Sequence, residues 1–511
     1  MRQAGVNLVS VGVFAWSALE PEPGRYTFDW LDAVLDQLHD GGVRVALATP
    51  TASPPPWFSL AHADALPVRA DGVRLTHGSR DTYCAAAPGY QQAALDICTA
   101  LAERYADHPA LAMWHVHNEY GSVCHCDHVA AAFQGWLRQR YRSLDELNRA
   151  WATAFWSQRY GRWAEIGPPR ATQYLVNPAQ ALDFRRFHSA LLLERFRDQR
   201  AVLRRYTPDV PVTTNFIFGD WVPVDHRRWA GEVDLVAIDH YPFQPAGSGP
   251  RAAEEQTAFH ADLARSWAGG GPWLLMEQSA GTISTGPRVV AKAPGQMARH
   301  SLGHVARGSR GAMFFQWRAA RGGSEQYHSA LVPHAGADTR VFREVCALGD
   351  LLGRLTEVDG AAVEAPVAIL WDAEAWWGLL GPGLPSTELS YLDQLYAVHR
   401  VLWRAGVTAD FVAPGDDLSG YRLVLAPSLY LISDADAESV RRYVDGGGHL
   451  MVWYFSGIVD QDAQVRTGGH PRHPGLAQSR GVVEDRRARR DRRGGDRGLE
   501  GVDRHGHVNR G

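Results

Sequence analysis

The chain has 511 residues, 45% of them hydrophobic, and at about 100–200 residues per domain it should form two to four domains. Its formal net charge of -4 and pI near 6.6 argue against a nucleic acid or an anionic membrane surface as a partner. An odd and sparse set of five cysteines, no recognisable secretory leader and no apolar run of roughly 20 residues together predict a cytoplasmic protein.

In the first 350 residues, short apolar runs alternate with longer amphipathic segments. The apolar runs lack the alternation of half-exposed strands, which indicates strands covered on both faces. Repeated strand–helix units of this kind form a parallel sheet. The predicted strands are 6–14, 43–50, 110–118, 210–216, 233–241, 272–278 and 310–317. The longest predicted helices are 29–42, 92–109 and 181–206.

Seven strands are one fewer than a closed (β/α)8 barrel requires. The missing strand is the first one, because residue 1 already stands in a helical-looking segment that leads into the strand at 6–14. We therefore predict a catalytic (β/α)8 TIM barrel over residues 1–350 that lacks its first strand.

A second strand–helix pattern begins near residue 362 and predicts a smaller, doubly wound α/β domain over 362–465. The remaining segment, 466–511, is rich in Arg and Gly and has no apolar periodicity. A basic RNA-binding arm is one interpretation of it. We favour a disordered end, or an end that no longer encodes a fold, because these residues cannot build a core.

The strand at 110–118 is followed at once by Glu119, and the strand at 272–278 carries Glu277 near its end. In a parallel barrel the active site lies at the carboxyl ends of the strands. Counted with the missing strand, these are strands four and seven, on opposite sides of the barrel mouth. Glycoside hydrolysis needs such a carboxyl pair. The alternative to a catalytic pair is that both glutamates are ordinary surface residues at the ends of barrel strands.

Other predicted strand ends carry the aromatic and polar groups that a sugar site uses. Tyr241 ends the strand at 233–241 and Trp317 ends the last strand, and Glu325 and His328 come shortly after that strand. Any one of them alone would more often be a packing residue. Together with the two glutamates they predict a carbohydrate site.

The sequence resembles the family 42 glycoside hydrolases, β-galactosidases of the retaining clan A. The resemblance covers nearly everything from residue 1 to about 465. Six stretches in order carry it: AGVNLVSVGVFAWSALEPEPGRYTFDWLD, ATPTASPPPWF, ALAMWHVHNEYG, WATAFWSQRYG, LLMEQS and FFQWRAARGGSEQYHSALVPHAG. The family also has an earlier first strand and a C-terminal β-domain, and neither is found in this sequence.

The resemblance implies a role for each matching residue. Glu119 corresponds to the acid/base that donates a proton, and Glu277 corresponds to the nucleophile. Asn118 corresponds to the group that hydrogen-bonds the sugar 2-hydroxyl. The remaining implied substrate contacts are Arg80 near the nucleophile, Trp156, Tyr241, Trp317, and the pair Glu325 and His328 that holds galactose hydroxyls.

Many family members hold a structural zinc ion through four cysteines. Here the matching positions are Cys84, Cys124, Cys126 and, in place of the fourth cysteine, Val129. His125 or His128 could substitute as the fourth ligand, or the zinc site could be weak or empty. Cys98 and Cys346 stand in apolar helical contexts and are predicted to be core residues. No cofactor is expected for catalysis.

The second domain resembles the amidotransferase-like domain through which the family forms trimers, so we expect a homotrimer. We predict a retaining β-galactosidase that releases terminal β-D-galactosyl residues from oligosaccharides or small glycosides. The alternatives are a related clan A enzyme, either an α-L-arabinopyranosidase or a β-glucosidase, and a catalytically dead, truncated carbohydrate-binding remnant. A zinc hydrolase that uses the Cys/His cluster is a further alternative.

Overall fold

The structure, a computed structural model, describes residues 1–242, 251–282 and 291–467. Within these residues the strands form parallel sheets. The first eight strands are β1 Leu8–Val11, β2 Arg44–Thr49, β3 Leu111–Val116, β4 Val212–Thr213, β5 Asn215–Phe216, β6 Val236–Asp239, β7 Trp273–Glu277 and β8 Ser309–Ala312. The later four are β9 Val367–Leu370, β10 Ala409–Val412, β11 Leu423–Ala426 and β12 His449–Val452.

The helices alternate with these strands along the chain. The barrel part contains α1 Trp16–Leu19, α2 Asp29–Asp40, α3 Pro56–Ala61, α4 Pro88–Tyr105, α5 Asp127–Tyr141, α6 Leu144–Ala150, α7 Pro178–Tyr206, α8 His226–Ala230, α9 Ala252–Trp267, α10 Gln296–Val305 and α11 Arg340–Arg354. The second part contains α12 Ala373–Leu379, α13 Tyr391–Arg404 and α14 Asp434–Asp445.

The first eight strands pair in parallel and in sequence order, as β1-β2-β3-β4 and β5-β6-β7-β8. Only Thr214 separates β4 from β5, so these two short strands occupy one position in the barrel. This order is that of a (β/α)8 barrel with seven strand positions in the described part of the chain, which confirms the predicted fold class. The core residues of β2 and β6 are buried on both faces, as their continuous apolar sequence predicts.

Local sequence signals explain where the longest helix begins. Helix α7 starts with Pro178, whose fixed backbone angle suits the first helical turn. The side chain of Asn177 accepts hydrogen bonds from the backbone N–H groups of Ala179 and Gln180, which would otherwise lack partners. The helix then runs along the barrel and returns the chain to β4.

The segment before β1 packs against the last barrel helix, α11. A Cβ atom at Gly349 would lie 2.2 Å from the carbonyl oxygen of Ala4, so only glycine allows this approach. Ala4 also joins a small apolar cluster with Phe342 and Val345 of α11. Helix α11 therefore holds the segment that leads into β1.

The last predicted barrel strand is shorter in the structure than in the sequence pattern. Strand β8 ends at Ala312, whereas the apolar run continues to residue 317. Phe315 and Arg318 still pair with Ser279 and Val332, but only as isolated bridges. The chain leaves the continuous ladder there, which brings the residues after 312 towards the end of β7.

The second sheet has the parallel order β10-β9-β11-β12, which is the doubly wound arrangement that the sequence predicts. The predicted domain limits, 1–350 and 362–465, stay predictions. The tail predicted over 466–511 lies, from residue 468 onwards, outside the described residues. None of the described helices is both long enough and apolar enough to cross a membrane.

A buried ionic cluster joins the barrel to the second sheet. Asp262 of α9 lies 3.0 Å from a guanidinium nitrogen of Arg265 and 2.9 Å from Nε2 of His399 in α13. Arg265 also pairs with Asp410 of β10 and is 1% exposed. Each charge in this cluster has a partner, which is the condition under which buried charges are tolerated.

We predict that Asp262→Ala lowers the free energy of unfolding by about 3–5 kcal/mol, because it leaves buried cations without their carboxylate. Urea denaturation followed by circular dichroism measures the change. Asp338→Ala is the matched control, since Asp338 pairs with Arg343 at a fully exposed position and its removal should leave the urea midpoint unchanged. An equal effect of the two substitutions would contradict a structural role for the cluster.

Candidate active site

The chain leaves β3 in an unusual backbone conformation. His117 and Glu119 have φ angles of 63° and 47°, in the left-handed region that residues other than glycine rarely adopt. The N–H of His117 donates to Oγ1 of Thr49 at 2.8 Å, and the N–H of Glu119 donates to Oδ1 of Asn215 at 2.9 Å. Side chains of the neighbouring strands thus hold a conformation that costs about 1–3 kcal/mol per residue.

The ring of His117 is buried and supports this strand end. Its Nε2 lies 2.7 Å from the Tyr83 hydroxyl and its Nδ1 lies 2.9 Å from Oγ1 of Thr51. Tyr120 stacks on the ring at a centroid distance of 4.1 Å. Burial holds the pKa of His117 well below its usual range, so the ring is neutral and acts as a structural hydrogen-bonding group.

Glu119 and Glu277 meet at the mouth of the barrel, as predicted. Asp239, the last residue of β6, joins them. One carboxylate oxygen from each of the three lies within 4.8 Å of the others. Such a separation matches the roughly 5–5.5 Å of retaining glycosidases and is shorter than the roughly 6.5–9.5 Å of inverting ones.

Burial and mutual repulsion control the charges of this carboxylate cluster. Burial first, and then the charge of Glu119, raise the pKa of Glu277. A hydrogen bond from the Tyr241 hydroxyl and the charge of Arg80 act in the opposite direction. Burial and the two glutamates also hold the pKa of Asp239 well above its usual range. The cluster therefore retains protons that exposed carboxyl groups would lose at neutral pH.

Arg80 forms an ion pair with Glu119 and a second one with Asp81 at 3.0 Å. Its guanidinium also lies over the ring of Phe14, 5.2 Å from the centroid. The family resemblance places Arg80 near Glu277, and the charge of Arg80 does lower the pKa of that residue. The direct contact of Arg80, however, is with Glu119.

The Asn215 side chain connects the elements of the site. Its amide nitrogen donates to Asn118 at 2.9 Å and to Asp239 at 2.5 Å. Its oxygen accepts the N–H of Glu119 and lies 2.9 Å from Nε2 of His115. Asn118 in turn donates to Glu119 at 3.2 Å. One buried amide thus positions the predicted acid/base and the residue before it.

The segment after β8 carries three further predicted site residues, Trp317, Glu325 and His328. The charge of Glu325 contributes to the raised pKa of Glu277, which places it in the same electrostatic environment. His328 is buried, its N–H donates to the Glu325 carbonyl at 2.9 Å, and its Nδ1 has no protein partner. Trp317 is half-buried and packs against Phe342.

Trp156 is the predicted contact that the structure does not bring to the carboxylates. It is 54% exposed and packs against Phe155 and Tyr174. None of its described contacts involves Glu119, Asp239 or Glu277.

The three predicted thiols also meet. The sulfur atoms of Cys84, Cys124 and Cys126 lie within 4.8 Å of one another, and all three residues are buried. Neither predicted histidine joins them: Nε2 of His128 lies 2.8 Å from Asp64, and His125 packs against Phe184 instead. Val129, at the position of the fourth ligand, is buried.

A closed structural zinc site needs four nitrogen or sulfur ligands. In the described part of the chain this thiol cluster supplies three, so its donor set does not fit such a site. Cys98 is buried in α4, as predicted, while Cys346 in α11 is only partly buried. All five cysteines are unpaired.

Sequence reasoning missed Asp239 and Asn215. Asp239 ends its strand directly before the predicted Tyr241 region, so the rule that identified the two glutamates applies to it as well. Asn215 gave a weaker signal, a single amide inside an otherwise apolar and threonine-rich strand. Its role depends on contacts with β6 and with the end of β3, which no local pattern reveals.

Comparison with known proteins agrees with this geometry. A family profile described as "Beta-galactosidase" of glycoside hydrolase family 42 matches residues 1–355. A second profile, described as "Beta-galactosidase trimerisation domain", matches residues 365–487.

Among related sequences, a β-galactosidase from Arthrobacter sp is 49% identical over 477 residues, which are 92% of this chain and 68% of the relative. A β-galactosidase from Geobacillus kaustophilus is 43% identical over 475 residues, 92% of this chain and 70% of the relative. Among solved structures, the cold-adapted β-galactosidase from Rahnella sp. R3 superposes with a TM-score of 0.89 at 38% identity, covering 92% of this chain and 70% of that one. The chain therefore belongs to glycoside hydrolase family 42, the β-galactosidases.

Proposed function

We propose that this chain hydrolyses terminal non-reducing β-D-galactosyl residues of oligosaccharides or small glycosides in two displacement steps, with Glu277 as nucleophile and Glu119 as acid/base. The observation that carries the proposal is the approach of these two carboxyl groups, from opposite sides of the barrel mouth, to within 4.8 Å. At that separation one carboxylate reaches the anomeric carbon while the other reaches the glycosidic oxygen.

In the first step, a Glu277 carboxylate oxygen bonds to the anomeric carbon as the bond to the leaving oxygen breaks. Glu119 gives its proton to that oxygen. In the second step, Glu119 takes a proton from water, the water oxygen bonds to the anomeric carbon, and Glu277 leaves as a carboxylate. Two inversions leave the configuration of galactose unchanged. Neither step uses a cofactor.

This sequence requires Glu277 to be ionised while Glu119 is protonated. Tyr241 favours the ionised form of Glu277, because its hydroxyl donates to that carboxyl group. Arg80 balances the negative charge that alternates between the two glutamates, since it pairs with one and acts on the pKa of the other.

The sugar hydroxyls need hydrogen-bonding partners that the protein leaves free. We assign Asn118 to the 2-hydroxyl, since it lies beside Glu119 and is held by Asn215. Glu325 and His328 are assigned to other galactose hydroxyls, and the buried Nδ1 of His328 without a protein partner supports this. Arg80, Tyr241 and Trp317 complete the proposed substrate contacts near the carboxyl groups, and a contact with Trp156 rests on the family resemblance alone.

The assembly that we propose is a homotrimer, supported by the match of residues 365–487 to a trimerisation domain. We also propose a cytoplasmic location, which the five unpaired cysteines favour because reduced thiols persist in that compartment. Zinc binding by the thiol cluster is not part of the proposal, because the cluster supplies one donor too few.

We predict that two alanine variants form galactosyl azides of opposite anomeric configuration when azide is added. Glu119→Ala should lower kcat on nitrophenyl β-D-galactoside by about 10²–10⁴-fold, and azide should restore turnover with formation of β-galactosyl azide, since azide needs no general base. Glu277→Ala should lose turnover, and azide should replace the missing nucleophile to form α-galactosyl azide from the activated substrate. Product anomers are identified by NMR.

Nitrophenyl β-D-glucoside and α-L-arabinopyranoside, tested beside the galactoside with the unmodified chain, distinguish the related clan A activities. If Glu119→Ala formed the α-azide and Glu277→Ala formed the β-azide, the roles assigned to the two glutamates would have to be exchanged. A chain that melts cooperatively but turns over none of these substrates would support the inactive remnant instead.

We predict that Tyr241→Phe moves the acidic limb of the kcat/KM pH profile to higher pH by about one unit. The lost hydroxyl stabilises the ionised carboxylate of Glu277, so its removal raises the pKa of the nucleophile, which must be ionised to react. The matched control is Tyr206→Phe, at the opposite end of the barrel, where the hydroxyl donates to Glu103. A shift towards lower pH, or an equal shift in both variants, would contradict the assignment.

We predict that Asp239→Asn retains most of the wild-type kcat, whereas Asp239→Ala loses about 10²-fold or more. If the raised pKa keeps Asp239 neutral, an amide can replace it, still accepting from Asn215 and donating towards the glutamates. Alanine cannot make either contact. Steady-state kinetics with folding checked by circular dichroism test this, and equal losses in both variants would indicate that the charge of Asp239 is required.

A further inference from the structure

The thiol cluster of Cys84, Cys124 and Cys126 is formed by two loops. Cys84 lies shortly before α4, and the other two cysteines lie immediately before α5. Sγ of Cys84 is 3.4 Å from Sγ of Cys126. All three residues are at most 4% exposed. Free cysteines are often buried singly as small apolar residues, but three sulfur atoms converging from two loops form a donor set.

Backbone N–H groups point at the sulfur atoms of this cluster. Sγ of Cys124 accepts the N–H of Val68 and the N–H of Cys126, each at 3.4 Å. Hydrogen bonds from N–H groups stabilise the thiolate, which is the form of cysteine that binds metal ions. The loop backbone is therefore arranged to support negative charge on sulfur.

Among the described residues, no fourth nitrogen or sulfur side chain joins the three sulfur atoms. Val129 stands in the first turn of α5 and is fully buried. His128 contacts Asp64, and His125 lies outside the group of converging ligand atoms. Within the described ranges, the cluster thus offers three soft donors and lacks the fourth nitrogen or sulfur ligand that a closed zinc site needs.

We propose that this cluster is a three-thiolate site for a soft monovalent cation, Cu(I), and not a four-coordinate zinc site. Soft thiolate ligands select Cu(I), which three thiolates satisfy without a fourth donor. Binding replaces three S–H bonds by three Cu–S bonds and releases three protons, with no change in oxidation state. The N–H groups on Cys124 offset part of the negative charge that results.

A metal ion in this site would link the loop that contains Cys84 to the loop that contains Cys124 and Cys126, and both loops also carry active-site residues. Arg80 precedes Cys84 by four residues, and Tyr83 between them contacts His117. Glu119 precedes Cys124 by five residues. Bound Cu(I) should therefore stabilise the region around the Arg80–Glu119 ion pair, which makes thermal stability a second measure of binding.

The first test is an anaerobic titration of the full chain with Cu(I) in competition with a chromophoric Cu(I) chelator. We expect one tightly bound Cu(I) per chain and a higher melting temperature with the ion. Cys124→Ser should weaken binding by more than about 100-fold. Cys346→Ser is the matched control, because Cys346 lies in α11 outside the cluster, and it should bind Cu(I) like the unmodified chain.

The second test adds a ligand, so it does not depend on whether the serine variant folds. Val129→Cys should raise the affinity for Zn(II) by more than about 100-fold, and its Co(II) form should show the visible absorption of tetrahedral thiolate coordination. The unmodified chain should lack that absorption.

Three results would overturn the proposal. The unmodified chain could retain one zinc ion per chain after purification and bind Co(II) as tightly as Val129→Cys. The Cu(I) affinity could be the same in Cys124→Ser as in the unmodified chain. Cu(I) could fail to bind the reduced chain, with a Cys84–Cys126 disulfide forming in air as the only reaction of the cluster.

Discussion

The hydrogen bonds of the Asn215 amide hold the catalytic end of the barrel together. Asn215 stands in the middle of the strand order and reaches Asn118 and Glu119 on one side and Asp239 on the other. An amide can do this because it donates and accepts at once, whereas a carboxylate or an aliphatic side chain could satisfy only part of the set. The left-handed backbone at Glu119 depends on one of these bonds.

Three carboxyl groups in so small a volume repel one another, and the surrounding protein limits that repulsion. Tyr241 donates to Glu277, Arg80 pairs with Glu119, and burial holds the pKa of Asp239 well above its usual range. Tyr241 and Arg80 oppose the effect of burial on the pKa of Glu277 and so favour the ionised form that the reaction needs.

The supporting shell extends well beyond the carboxyl groups. His117, buried and neutral, links the end of β3 to Tyr83 and so to the loop that carries Arg80 and Cys84. On the other side of the barrel, the ionic cluster around Asp262 attaches the second sheet. Both sets of contacts give buried polar side chains hydrogen-bonding or ionic partners, which restricts the arrangements open to the chain.

The sequence alone determined the alternation of strands and helices, the parallel sheets and the positions of Glu119 and Glu277 at strand ends, because these follow from local periodicity and from the polarity of parallel barrels. The motifs also predicted that three cysteines converge. Only the tertiary structure decided that Arg80 pairs with Glu119, that Asp239 and Asn215 belong to the site, and that neither His125 nor His128 completes the thiol cluster. These contacts join residues tens of positions apart, so their distances depend on how whole elements pack and not on any pattern along the chain.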